Sequence, residues 1–112
     1  MMTFMSEASG YGIVITTLAS RDDARRIADM LLAERLAACV QLIGIESHYN
    51  WKNERVSEPE VMLVAKTRAE LFERAIARIK ALHPYETPEI VAQDFRAGFA
   101  PYLDWIKTET ES

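Results

Sequence analysis

Apolar positions along the chain recur with two periods, and the switches between them mark out the elements. Gly12–Leu18 is β-branched and almost continuously apolar, the pattern of a strand covered on both faces. Ser20 then suits a helix N-cap, and Asp22 and Asp23 fall in the first turn, where the helix dipole favours negative charge. Ala24, Ile27, Ala28, Leu31 and Leu32 form one helical stripe ending near Arg35. Cys39–Trp51 predicts one long strand, with Gly44 as the place for a bend. Lys52–Arg55 carries turn chemistry, and Val56 onward returns as the partner strand. Pro59 suits an exposed edge or a bulge there, and Val61–Lys66 is the apolar part. Thr67-Arg68-Ala69-Glu70 reads as a capping box for a second helix striped by Phe72, Ala75, Ile76 and Ile79. Pro84 ends that helix. Glu89–Phe95 is a fourth strand, Gly98 a loop, and Pro101 opens a short final helix holding Tyr102, Leu103, Trp105 and Ile106.

The order β-α-β-β-α-β with right-handed crossovers predicts an α+β, ferredoxin-like sandwich. Four antiparallel strands carry both helices on one face, with a long central hairpin and a short C-terminal helix. The single domain is expected over 11–107, between flexible ends at 1–10 and 108–112. Ile13, Val14 and Ile15 point both ways, as do Met62, Leu63 and Val64, so the second sheet face is apolar too. An uncovered apolar face of that kind marks an interface. The hairpin strands, about thirteen residues at roughly 3.3 Å each, reach some 40 Å and outgrow the body. Both features predict a homo-oligomer in which sheets pack and hairpin edges pair between copies.

Composition narrows the classes. The 112 residues are 49% hydrophobic, enough for one modest core that association would help. The formal net charge is −4 and the 13 basic residues are scattered, which argues against nucleic acid as a partner. The one cysteine, Cys39, cannot form an internal disulfide, so a reducing compartment, the cytoplasm, is expected. The first ten residues lack the pattern of a signal peptide, and no apolar run is long enough to span a membrane.

His83-Pro84-Tyr85-Glu86-Thr87-Pro88-Glu89 is the unusual segment: two prolines stiffen a loop that carries an imidazole, a phenol and two carboxylates. It fits a displayed binding site, but two prolines alone are adequate loop chemistry, which favours a stiff connector with a solvated histidine. Tyr49 and Trp51 share one strand face, either as cleft walls or as interface packing. Cys39 reads as a small packing residue with no histidine near it in sequence. Lys66 ends an apolar strand and calls for a carboxylate partner or an outlet to solvent. There is no phosphate loop, no nucleophile elbow and no paired zinc spacing, so an enzyme is not expected.

Five blocks in order then resemble a known family. They are Leu36-Ala37-Ala38-Cys39-Val40, Tyr49-x-Trp51, Glu60 through Lys66-Thr67, His83 through Glu89, and Tyr102-Leu103-x-Trp105. Together they are similar to the CutA divalent-cation tolerance family over about residues 11–107. The resemblance implies a cytoplasmic homotrimer with PII-like architecture, no enzymatic activity, and a link to copper tolerance. It implies an intersubunit cleft lined by Cys39, Tyr49, Trp51, Lys66, His83, Tyr85, Glu86 and Trp105. His83, with Glu86 and Glu89, is then the expected metal-binding set. Thr16 and Leu82 stand where some copper-linked members carry a cysteine and a second histidine. Cu(II) affinity rises with the number of nitrogen and sulfur donors, so weak binding of Cu(II) or another divalent cation is implied, with no tightly bound cofactor. The alternative is a PII-like regulator holding a small molecule or anion near Lys66.

Overall fold

The computed structural model describes residues 8–111, so the expected flexibility of residues 1–7 and of Ser112 lies outside the described residues, while Ala8, within the expected flexible start, is buried against Leu103 and Ile106. Strand β1 (Tyr11–Leu18) leads into helix α1 (Arg21–Ala33). Ser20 caps α1 as expected, its Oγ accepting from the Asp23 N–H at 3.0 Å. At the other end Arg35 takes φ 57°, while the Leu36 N–H reaches the Leu31 carbonyl at 2.8 Å and the Arg35 N–H reaches Leu32 at 3.2 Å. That is a Schellman closure with arginine in the position glycine usually fills. Burial of Leu36 beside Leu31 favours it.

Strands β2 (Cys39–Trp51) and β3 (Glu54–Arg68) form the long hairpin. Trp51 pairs with Glu54, so the turn is the two residues Lys52 and Asn53, with φ 50° and 68°. Two left-handed residues in succession mark a primed turn, whose twist matches that of the flanking strands. The hairpin gives the molecule its long dimension, 47 Å against 30 and 21 Å.

Helix α2 (Phe72–Leu82), strand β4 (Ile90–Asp94) and helix α3 (Ala100–Thr110) complete the chain. The sheet order is β2-β3-β1-β4, and every neighbour is antiparallel. This is the expected ferredoxin-like arrangement. Val14, Leu18, Leu63 and Ala65 meet Ile27, Leu31, Ala75 and Ile79 in the main core. A two-pronged bond from Arg78 to Glu34, 2.9 and 2.8 Å, ties α2 to the end of α1.

Three expectations change. The capping box does not form. Thr67 is fully buried and its backbone pairs with Gly12 inside the sheet, so the residue is held within β3 and its hydroxyl, without a partner among the described residues, does not reach a helix N-terminus. A short 3₁₀ turn, Ala69–Leu71, precedes α2 instead, with no side-chain cap. The ordered body also continues past residue 107. Thr110 is buried, and Arg68 donates to its Oγ1 at 2.8 Å and its carbonyl at 3.1 Å. Finally, α3 begins at Ala100, one residue before Pro101. Its Leu103 and Ile106 pack on Tyr11 and Phe95, covering one end of the second sheet face. The rest of that face keeps Ile43 and Val91 exposed and Ile15, Met62 and Val64 half-buried.

Candidate functional site

The turn at Lys52–Asn53 fixes the hairpin register, and with it which side chains share a face. Ser47 stands opposite Glu58, Tyr49 opposite Val56, and Ile45 opposite Glu60. Ser47, Tyr49, Trp51, Glu58 and Glu60 therefore project to the side of the sheet away from α1 and α2. The stiff α2–β4 connection lies against them. Together they enclose a cavity of about 400 Å³, closed by Thr17, Tyr85, Glu86, Thr87 and Glu89.

His83 determines how that connection sits. Helix α2 stops at Leu82, and His83 takes an extended backbone because Pro84 follows. Its ring is buried, with Nε2 2.8 Å from the Thr17 carbonyl, and Nδ1 accepts the Tyr85 N–H at 3.2 Å. An acceptor at Nδ1 assigns the ring proton to Nε2, which donates to Thr17. Both nitrogens are thus engaged within the chain. The imidazole packs on Tyr85 with ring centres 4.8 Å apart.

The two cavity tyrosines each donate to a carboxylate at 2.6 Å, Tyr85 to Glu60 and Tyr49 to Glu58. The Glu58 bond pushes the Tyr49 phenol up to about 12, with burial second. Burial first, then the Glu60 bond and charge, push Tyr85 higher still. Both groups remain neutral phenols at physiological pH and hold the carboxylates in place. A raised phenol favours folding fully below the ordinary tyrosine range, and that contribution is lost as pH climbs through the folded value. Alkaline titration followed by phenolate absorbance should therefore show Tyr49 and Tyr85 ionising late. In Glu60→Gln the Tyr85 step should move down in pH, while burial keeps it above the ordinary value. A Tyr85 step at the ordinary pH in the wild type would contradict the bonding described.

The expected site residues fall into two groups. Tyr49, Trp51, Tyr85, Glu86 and Glu89 meet in the cavity, with His83 behind the wall. Cys39, Lys66 and Trp105 do not join them within one chain. Cys39 pairs with Lys66 at the far end of the hairpin, Lys66 donates to Gln41 Oε1 at 2.6 Å, and Trp105 stacks on Tyr102 with centres 5.8 Å apart. Burial, and then the nearby Cys39, raise the Tyr102 phenol. Thr16 is buried, and Leu82 packs against the main core.

Glu58 and Glu60 were missed as site residues. The signal for them was the two-residue turn, which places them on the face of Tyr49 and Trp51. With Glu86 and Glu89 they bring four carboxylates to a cavity whose lining includes no lysine or arginine. The donor set is oxygen only and suits weak attraction of divalent cations, not a soft-metal centre. Among the described residues, no three His, Cys, Asp or Glu side chains converge into an ion-coordinating cluster.

Comparison with known proteins gives the site its context. A family model described as CutA1 divalent ion tolerance protein matches residues 12–109. The Divalent-cation tolerance protein CutA of Thermus thermophilus is 44% identical over 99 residues, covering 88% of this chain and 96% of that protein. The chloroplastic Protein CutA of Arabidopsis thaliana is 36% identical over 101 residues, and the match spans 89% of this chain but 56% of the plant protein. Among solved structures, the Periplasmic divalent cation tolerance protein CutA from Archaeoglobus fulgidus superimposes with a TM-score of 0.88 at 36% identity, over 90% of this chain and 99% of that one. The chain belongs to the CutA1 divalent ion tolerance family.

Proposed function

We propose that the protein is a homotrimeric, non-catalytic binding protein that takes up divalent cations weakly at the cavity between hairpin and α2–β4 connection. The observation that carries this reading is the gathering of Glu58, Glu60, Glu86 and Glu89 around one cavity. Family membership supports the link to divalent-cation tolerance. Glu86 and Glu89, both exposed at the cavity, serve as ligands. His83 serves by holding Tyr85 and the loop in place, because its nitrogens are bonded to Thr17 and Tyr85. Cu(II) binding through His83 Nδ1 would require giving up the bond from the Tyr85 N–H, so copper is held there weakly and chiefly by oxygen.

Association supplies what one chain lacks. Cys39, Lys66 and Trp105 lie away from the acidic cavity, and a neighbouring copy packed on the open sheet face brings its own set toward it. The cytoplasmic assignment rests on the single cysteine, while relatives carry names that place them in chloroplast and periplasm. The PII-like alternative, with an anion near Lys66, has less support: Lys66 is already bonded to Gln41, and the four carboxylates of the cavity disfavour an anion.

Calorimetric titration with Cu(II) and Zn(II) tests the reading. Glu86→Gln/Glu89→Gln should weaken binding by at least roughly tenfold, the equivalent of about 1.4 kcal/mol of lost charge attraction. His83→Ala should weaken it less. Wild-type and double-variant curves that superimpose would sink the proposal.

A further inference from the structure

The chain has two histidines, and the fold treats them in opposite ways. His83 is buried, with both ring nitrogens engaged. His48 is exposed on the hairpin overhang, and its Nε2 lies 2.6 Å from a carboxylate oxygen, Glu46 Oε2. The Ser57 hydroxyl is 2.8 Å from Nδ1, so the ring is held from both sides. The register explains the meeting. Glu46 and His48 are two residues apart on β2 and share a face, and Ser57 stands directly opposite His48 on β3.

These side chains point to the side of Val40 and Leu42, which pack on the main core beneath the helices. The helices stop short of them. Arg21, the first residue of α1, reaches over Gly44, and the hairpin beyond it leaves Glu46, His48, Ser57 and Pro59 exposed. The acidic cavity and the apolar face through which copies pack lie on the opposite side of the sheet. Pairing at strand edges engages backbone groups, not this face. An assembly built through those contacts keeps the His48 pair in water.

We propose that Glu46 and His48 form a Cu(II) site of one imidazole nitrogen and one carboxylate oxygen, completed by water. The inference goes beyond the cavity reading and does not depend on it. The cavity offers a cation oxygen only, whereas Cu(II) gains most from nitrogen donors, and His48 is the imidazole with a nitrogen open to solvent. Two bare acceptors 2.6 Å apart would repel, so a proton lies between Nε2 and Oε2 in the metal-free protein. The metal takes the place of that proton. Donor–metal distances of about 2.0 Å at the right angle of a tetragonal site set two ligands roughly 2.8 Å apart. A small rotation of two exposed side chains is enough. The neutral ring keeps its one proton, which passes through water to Nδ1 and is donated to Ser57 Oγ. A bond of that kind orients a ligating imidazole and fixes its tautomer.

The test adds less than one equivalent of Cu(II) to the whole chain and reads the pulsed EPR spectrum for the remote nitrogen of a coordinated imidazole. The signal should appear in wild type and in His83→Gln and be absent in His48→Gln. Calorimetry should show this site weakened roughly tenfold in Glu46→Gln, the scale of one charged ligand. Ser57→Ala should move the Nδ1 resonance and weaken binding less, and Ser57→Thr should restore both. All of these side chains except His83 are exposed, so melting curves of their variants should match wild type. No imidazole signal in wild type, a signal that survives His48→Gln, or an unchanged affinity in Glu46→Gln would overturn the proposal. Glu86→Gln/Glu89→Gln should keep the imidazole signal while losing oxygen-bound ions, so this inference and the cavity reading can each fail alone.

Discussion

Replacing Gly12 by alanine should cost the protein roughly 3–5 kcal/mol, placing it among the most damaging single methyl additions available to this chain. Gly12 lies in the middle of the sheet, between Thr67 of β3 and Asp94 of β4. A Cβ there would run into the carbonyl oxygen of Gln93, and would lie 2.8 Å from Phe72 Cζ and 3.0 Å from Asp94 Cα. Two of those neighbours are backbone and cannot yield unless β4 separates from β1. The third is the first residue of α2, packed against the main core. Domains of this kind have about 5–15 kcal/mol of stability in total, so the variant should unfold at much lower urea or fail to accumulate in soluble form. Gly44 provides the control. A Cβ there meets only the end of the Arg21 side chain at 3.6 Å, and Gly44→Ala should stay within about 0.5 kcal/mol of wild type. Urea unfolding followed by circular dichroism decides it, and equal midpoints for the two variants would refute the account of the β1–β4 contact.

Val64→Glu should leave the fold intact and abolish association. Val64 stands between Ile15 of β1 and Gln41 of β2, on the face that α1 and α2 do not cover. Its neighbours on the helix side, Leu63 and Ala65, are untouched. In a single chain the new carboxylate would point to water at little cost. In a trimer packed through this face each copy would bury an unpaired charge, at about 3 kcal/mol or more apiece. That is a loss of at least roughly a hundredfold in association. Light scattering should give three times the 12.7 kDa chain mass for wild type and the chain mass itself for the variant. A monomeric wild type, or a Val64→Glu protein of unchanged mass, would count against the sheet face as the interface.

The order and type of the elements were readable because both periods are strong. Val14 and Leu18 fall at period two on the helix side, and Ala24, Ile27 and Leu31 at helical spacing. The failures share a cause, which is competition between a local signal and a distant partner. Thr67 has the local chemistry of a cap, but Gly12, far earlier in the chain, claims its backbone for the sheet. His83 looks like a displayed ligand until the Thr17 carbonyl, 66 residues away, takes its Nε2. Thr110 sits near a chain end and would fray without Arg68. The aromatic half of the cavity was legible as Tyr49, Trp51 and Tyr85. The carboxylates Glu58 and Glu60 needed the turn to be placed at Lys52–Asn53, since a shift of one residue would send them to the opposite face.

The overhang of the hairpin bears on how copies can add to one another. Strand β1 ends at Leu18, opposite Val61, so residues 54–60 of β3 have β2 on one side only. Within that bare stretch stands Pro59, which has no N–H to offer. A strand laid along the edge finds its ladder interrupted within a few residues. The proline thus sets an upper bound on how long any ladder added at this edge can be, and so marks the hairpin overhang as a poor template for strand-by-strand growth.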